Sequence, residues 1–241
     1  MSEKLLYVAL DQSDPARNIE LAKNLAGSDA KGNFGFKVNQ DDAMISGREY
    51  IESITDVGKP VFVDLKMNNG PRTMSRTIRY LAEMGVAHTN IWAHAESNLG
   101  KTMDLIANVE DRPGILAVTF YTRWQDEYAR KHHNMSLNEL IRHWAEVGVE
   151  YGADGLILPG NLLGTVSDLD TLKLNPAVRM GGVSTDSEQE QTSEPYDAIV
   201  DGSDMLVVGS PIYKAADPIE ALKVHLGEVR RAEDYLVSIG K

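Results

Sequence analysis

Residues 60–93 open with Pro60-Val61-Phe62-Val63-Asp64, run through a longer segment at 72–84, and close with His88-Thr89-Asn90-Ile91-Trp92-Ala93. The outer pieces are short runs rich in apolar and β-branched residues, and their length and flanks predict strands. Between them Met74, Ile78, Leu81 and Ala82 fall on one face at helical spacing. The near-continuous apolar character of the outer runs, rather than alternation, is expected of parallel strands covered on both faces.

Working outward, the same unit recurs. Strand-like runs lie at 5–10, 34–38, 60–64, 88–93, 114–119, 154–158, 177–180 and 204–208, and residues 137–151 repeat the helical pattern with Leu140, Ile141, Trp144 and Val147. Eight strand–helix units with no linker or low-complexity tract predict an α/β fold, a single (β/α)8 TIM barrel in which residues 1–241 form one domain. An open doubly wound sheet is the competing architecture. It is disfavoured because no Gly-x-Gly-x-x-Gly turn follows the first strand.

The chain has 241 residues, with 24 Lys and Arg against 36 Asp and Glu, a formal net charge of -12. Such a field repels phosphate backbones and anionic lipid, so neither nucleic acid nor membrane is an expected partner. Cysteine is absent, which excludes disulfides, thiolate nucleophiles and cysteine-ligated metal. No apolar run reaches the ~20 residues that a spanning helix needs, and Met1-Ser2-Glu3-Lys4 leads straight into a strand, so a cytoplasmic protein is expected.

A barrel does not name a reaction, but its active site lies at the carboxyl ends of the strands. There the chain carries Asp11, Lys37, Asp64 with Lys66, His94, Thr122 with Arg123, Pro159-Gly160-Asn161, Gly181-Gly182, and Gly209-Ser210. Asp64 and Lys66 are two apart, a spacing that puts both on one face of extended backbone, and Lys37 on the neighbouring strand extends them into a Lys–Asp–Lys row. Such a row keeps all three ionised and suits proton delivery to a carbon that has just lost a carboxylate. An ion pair plugging the barrel is the structural alternative. His94 either contacts substrate or bonds a neighbouring loop, while His132, His133 and His143 read as surface residues rather than metal ligands.

Taken in order, Val8-Ala9-Leu10-Asp11, Phe36-Lys37-Val38, Asp64-Leu65-Lys66 with Pro71-x-Thr73, Ala93-His94-Ala95, Ala117-Val118-Thr119 and Val207-Val208-Gly209 resemble the strand-end motifs of the orotidine 5'-phosphate decarboxylase superfamily, closest to its bacterial branch. The resemblance implies a decarboxylase without metal or cofactor that works as a homodimer with active sites at the interface. It implies that Lys37, Asp64 and Lys66 are three members of a Lys–Asp–Lys–Asp array, with Lys66 the proton donor. It also assigns Asp11 and Thr122 to ribose and pyrimidine contacts, and Gln189 to the phosphate.

Departures from the pattern are equally specific. Asn69 stands where the array has its fourth acid, and an amide cannot balance an ammonium. Arg123 replaces a pyrimidine-contacting Ser, and Ser210 falls where a phosphate-clamping Arg belongs. Backbone amides of Gly182, Gly209 and Ser210 remain available to an anion. These changes point to a carboxylated nucleoside or nucleotide related to orotidine 5'-phosphate, with orotidine 5'-phosphate itself the other candidate substrate if Arg72 or Arg123 assumes a lost role. The alternatives are a lyase resembling hexulose-phosphate synthase or ketogulonate-phosphate decarboxylase, and a degenerate barrel that only binds a small molecule.

Overall fold

A computed structural model of the chain describes residues 4–121, 124–176, 178 and 193–240. Eight parallel strands close in sequence order: β1 (Leu5–Ala9), β2 (Phe34–Asn39), β3 (Val61–Met67), β4 (His88–Trp92), β5 (Gly114–Val118), β6 (Gly155–Ile157), β7 (Leu172–Asn175) and β8 (Met205–Val208), with β8 pairing back to β1. Around them run α1 (Pro15–Ala26), α2 (Gln40–Thr55), α3 (Pro71–Glu83), α4 (Ser97–Ile106), α5 (Asp126–His133), α6 (Leu137–Glu150), α7 (Pro195–Val200), α8 (Ser210–Tyr213) and α9 (Pro218–Ser238). The expected (β/α)8 barrel is therefore the observed one.

Strand alternation divides the core into shells. Leu6, Val8, Phe36, Val61 and Val63 point outward under α1, α2 and α9, and Ile91, Ile115, Ala117 and Leu156 do so under α3, α4 and α6. Tyr7, Phe62, Leu116, Val118, Leu174 and Val207 fill the interior. Each fully buried side chain of this size contributes roughly 1.5–3 kcal/mol, so the outer shells hold the helices on. In α3 the buried face consists of Met74, Ser75, Ile78 and Leu81; the spacing predicted three of these, while Ala82, expected with them, is only half-buried and Ser75 takes its place. Gly35 faces inward on β2, where a Cβ would stand 2.2 Å from the Pro60 carbonyl oxygen, so a side chain there would push β2 off β3.

One strand lies elsewhere than the sequence suggested. The seventh is Leu172–Asn175, and of the run expected at 177–180 only Val178 is among the described residues, where it forms an isolated parallel bridge with Ser193. Leu172-Lys173-Leu174-Asn175 alternates apolar and polar residues, and Lys173 is buried with its ammonium donating to the carbonyls of Leu169 and Thr171. A lysine satisfied this way hides a strand from any reading based on continuous hydrophobicity.

Candidate active site

The carboxyl ends of β1 to β4 bring their polar side chains to the mouth of one cavity of about 350 Å³. Asp11, Lys37, Asn39, Asp64, Lys66 and Asn90 form one wall, and Val118, Phe120, Ile157, Leu174, Pro176 and Val207 face them from the other half of the barrel. Loop geometry fixes Asp11: Asn18 accepts from the Gln12 amide and donates to the Gln12 carbonyl, pinning the turn between β1 and α1.

Lys37 and Asp64 occupy inward positions on adjacent strands. The Lys37 ammonium lies 3.2 Å from an Asp11 oxygen and 4.0 Å from an Asp64 oxygen, and it also donates to the Asn39 carboxamide. Asn39 in turn donates to Asp11 at 2.7 Å. Lys66 meets both carboxylate oxygens of Asp64 at 2.6 Å. Burial works to raise the Asp64 pKa, but Lys37 and Lys66 beside it, with hydrogen bonds from Lys66 and Asn90, outweigh burial and hold the carboxyl below its usual range. The side chain of Asp64 is only 12% exposed whereas that of Lys66 is 40% exposed, so the acid is enclosed and the ammonium opens to solvent.

Asp64 and Lys66 do meet, but not through the extended spacing of the strand. The β3–β4 ladder pairs Val63 with Thr89 and then Met67 with Ile91, so residues 64–66 bulge opposite Asn90 alone. Lys66 takes a left-handed backbone, φ 46°, a conformation that is strained for a residue carrying a Cβ. Its amide, removed from the ladder, donates to the Asn90 carboxamide oxygen at 2.6 Å. The bulge therefore re-aims the lysine.

The remaining expected site residues divide three ways. Gly209 and Ser210 line the cavity, and a Cβ on Gly209 would stand 3.5 Å from Asp11. Asn69, on the segment leading into α3, and Thr73, in its first turn, are exposed and do not line the cavity. His94 sits outside it too, with its ring stacked 5.0 Å from Trp92, near Trp144, and Nε2 3.1 Å from the Asn68 amide nitrogen; burial lowers its pKa. Thr122, Arg123, Gly182 and Gln189 lie outside the described residues.

His133, read as a surface residue, is half-buried among Trp124, Tyr128 and Trp144. Among the described residues no group of three or more His, Asp or Glu is placed to hold a metal, and no helix is long and apolar enough to cross a membrane. Asn39, Asn90 and Tyr213 were not singled out from sequence, yet all three line the cavity. For Asn39 a signal existed, since it stands two residues beyond Lys37 and shares its face.

With the wall of alternating charge established, the relatives become informative. The family model described as "Orotidine 5'-phosphate decarboxylase / HUMPS family" matches residues 4–224. The chain belongs to this family. It is 30% identical over 229 residues to the orotidine 5'-phosphate decarboxylase of Nautilia profundicola, covering 93% of this chain and 98% of the relative. It is 29% identical over 220 residues to that of Campylobacter concisus, covering 89% and 95%. Among solved structures, orotidine 5'-phosphate decarboxylase from Lactobacillus acidophilus superposes with a TM-score of 0.79 at 25% identity, covering 95% of this chain and 99% of that one. The family is one of carbon–carbon lyases, and in this member Asp11, Lys37, Asp64 and Lys66 converge on a single cavity.

Proposed function

We propose that this protein is a carboxy-lyase that needs neither metal nor cofactor and acts on orotidine 5'-phosphate or a closely related carboxylated nucleoside or nucleotide. The observation that carries the reading is the Lys66 ammonium, held by both oxygens of Asp64 at the mouth of the cavity. A substrate carboxylate brought against this wall meets the enclosed negative charge of Asp64, while the carbanion left behind meets the ammonium of Lys66. That difference between ground state and transition state is what accelerates the chemical step.

In the reaction the bond between ring carbon and carboxylate breaks, the electron pair stays on the ring carbon, and carbon dioxide leaves. An N–H of Lys66 then gives its proton to that carbon, and the resulting amine regains a proton from water through its exposed side. Lys37, fixed by Asp11, Asn39 and Asp64, keeps the acid ionised throughout. The apolar half of the wall accepts the flat faces of a base and excludes water, which strengthens every charge interaction opposite it.

We further propose a homodimer in which residues 68–70 of one copy, exposed beside Lys66, approach the site of the other. Asn69 would then present an amide where an acid is expected, and the proposed preference for a related substrate follows from that exchange together with Arg123 and Ser210.

The test is direct. Purified protein is incubated with orotidine 5'-phosphate, with orotidine, and with other carboxylated nucleosides, in the presence of a chelator, while loss of substrate absorbance and release of carbon dioxide are followed. Turnover of one of these, lowered by about 10²-fold or more in Lys66→Ala, supports the reading. No turnover of any, or turnover that the chelator abolishes, overturns it.

A further inference from the structure

Asn90 is fully buried, yet it lines the cavity from β4 between two members of the charged row. Its amide nitrogen donates to Asp64 Oδ1 at 2.7 Å, and its carbonyl oxygen accepts from the Lys66 backbone N–H at 2.6 Å. We infer that Asn90 is the positioning residue of this site: it caps the β3 bulge and so holds Lys66 and Asp64 in the geometry that proton transfer requires.

Three residues of β3 stand opposite Asn90 alone, so the ladder offers the Lys66 amide no backbone partner. An unpaired N–H there would add a desolvation penalty to the strain of a left-handed lysine. The Asn90 oxygen removes that penalty and makes the strained backbone the favoured one. Its nitrogen meanwhile occupies one lone pair of Asp64 Oδ1, leaving the carboxylate aimed at the two ammonium groups. Only a carboxamide both accepts and donates at this reach; Asp lacks the donor and Leu lacks both.

No substrate contact is assigned to Asn90, and its effect passes through Lys66. Displacing a proton donor by about 1 Å lowers turnover by roughly 10²-fold. Asn90→Ala is therefore expected to lower kcat by about that factor with KM changed less than about threefold. The control is Thr89→Val, which removes a neighbouring buried hydrogen bond to the Val63 carbonyl without touching the charged row; its kcat should stay within about twofold.

The kinetic arm rests on the decarboxylase reading, so a second arm does not use substrate. Lys66 and Lys37 are acylated with acetic anhydride under limiting reagent and their modification is quantified by mass spectrometry. In Asn90→Ala the Lys66 rate rises several-fold relative to Lys37, and in Thr89→Val the ratio is unchanged. Asn90→Asp serves if Asn90→Ala does not fold: it keeps the volume and the acceptor but sets a second carboxylate against Asp64, which moves the acid limb of the kcat profile to higher pH. If the wild type decarboxylates nothing, the proposed function fails and the Lys66 to Lys37 ratio alone decides the role of Asn90. An unchanged ratio in Asn90→Ala, or in Asn90→Asp where Asn90→Ala does not fold, overturns the inference. So does a kcat equal to that of Thr89→Val in a protein that does turn over.

Discussion

The mouth and the floor of this barrel both bury polar groups, and they satisfy them in opposite ways. At the mouth the Asp64 carboxyl is held below its usual range, against burial, by the ammonium groups of Lys37 and Lys66 on either side. At the floor the Tyr7 hydroxyl and His88 Nδ1 meet at 2.6 Å, and burial lowers the His88 pKa and raises that of Tyr7, keeping both neutral. The floor is closed by Phe62 against Tyr7 and rimmed by structural ion pairs, Lys4 with Asp204 and Arg112 with Asp154. Charge faces the cavity at the mouth, whereas the pair that meets inside the floor is neutral, and that contrast is what a site rather than a plug requires.

The sharpest way to break this comparison is Lys66→Ala. Removing a general acid lowers kcat by about 10²–10⁴-fold, whereas urea unfolding should shift little because the side chain is partly exposed. Turnover within tenfold of wild type would remove Lys66 from the mechanism and return the mouth to the same structural status as the floor. Next in size is Asp64→Asn, which leaves the buried Lys37 ammonium with Asp11 alone as its acid. Because Asp11 and Asn39 still hold the ammonium, the loss should be about 1–3 kcal/mol of stability, read as a lowered denaturation midpoint, and part of it should return in Asp64→Asn with Lys37→Met.

The barrel itself was legible because seven of the eight expected apolar runs fall on strands and the helical spacing buries a face, and a buried face leaves a periodic trace. The charged row was legible for the complementary reason: Asp and Lys at the ends of apolar strands stand out against the pattern. Two things were not. The strand at 172–175 was obscured by a buried lysine that bonds backbone carbonyls, so its burial has no hydropathic signature. The bulge at 64–66 was read as extended backbone because left-handed φ at a lysine has no compositional mark; only its partner, a lone Asn inside β4, hinted at an unpaired amide. Asn39, by contrast, carries the same mark as Lys66, since it stands two residues beyond Lys37 on the same face of its strand.

A smaller effect is expected at the floor. Tyr7→Phe leaves His88 Nδ1 without its partner in an apolar enclosure, a loss of about 1–2 kcal/mol. Because the hydroxyl lies at the end of the barrel opposite the charged row, kcat should stay within about twofold of wild type. A larger change in kcat than in stability would mean that floor and mouth communicate, and the distinction drawn between them would fall.

The smallest effect separates the two ends by pH. Burial lowers the His88 pKa and outweighs the Asp154 carboxylate, which acts to raise it. With the folded pKa below the unfolded value of about 6.5, the unfolded chain binds the proton first. The contribution of His88 is then fully present above about pH 6.5 and is lost as pH falls through its folded pKa. His225, buried in α9 with Nδ1 2.7 Å from the Ala221 carbonyl, and His94 shift in the same direction, so they share this window. Asp64 is also lowered, but its contribution persists until pH drops below the ordinary carboxylate value of about 4. Stability measured by urea unfolding should therefore fall in two steps, and His88→Leu should flatten the first while leaving the second in place. A first step unchanged in His88→Leu would assign it to His225 and His94, and would mean that the floor histidine takes up its proton without disturbing Tyr7.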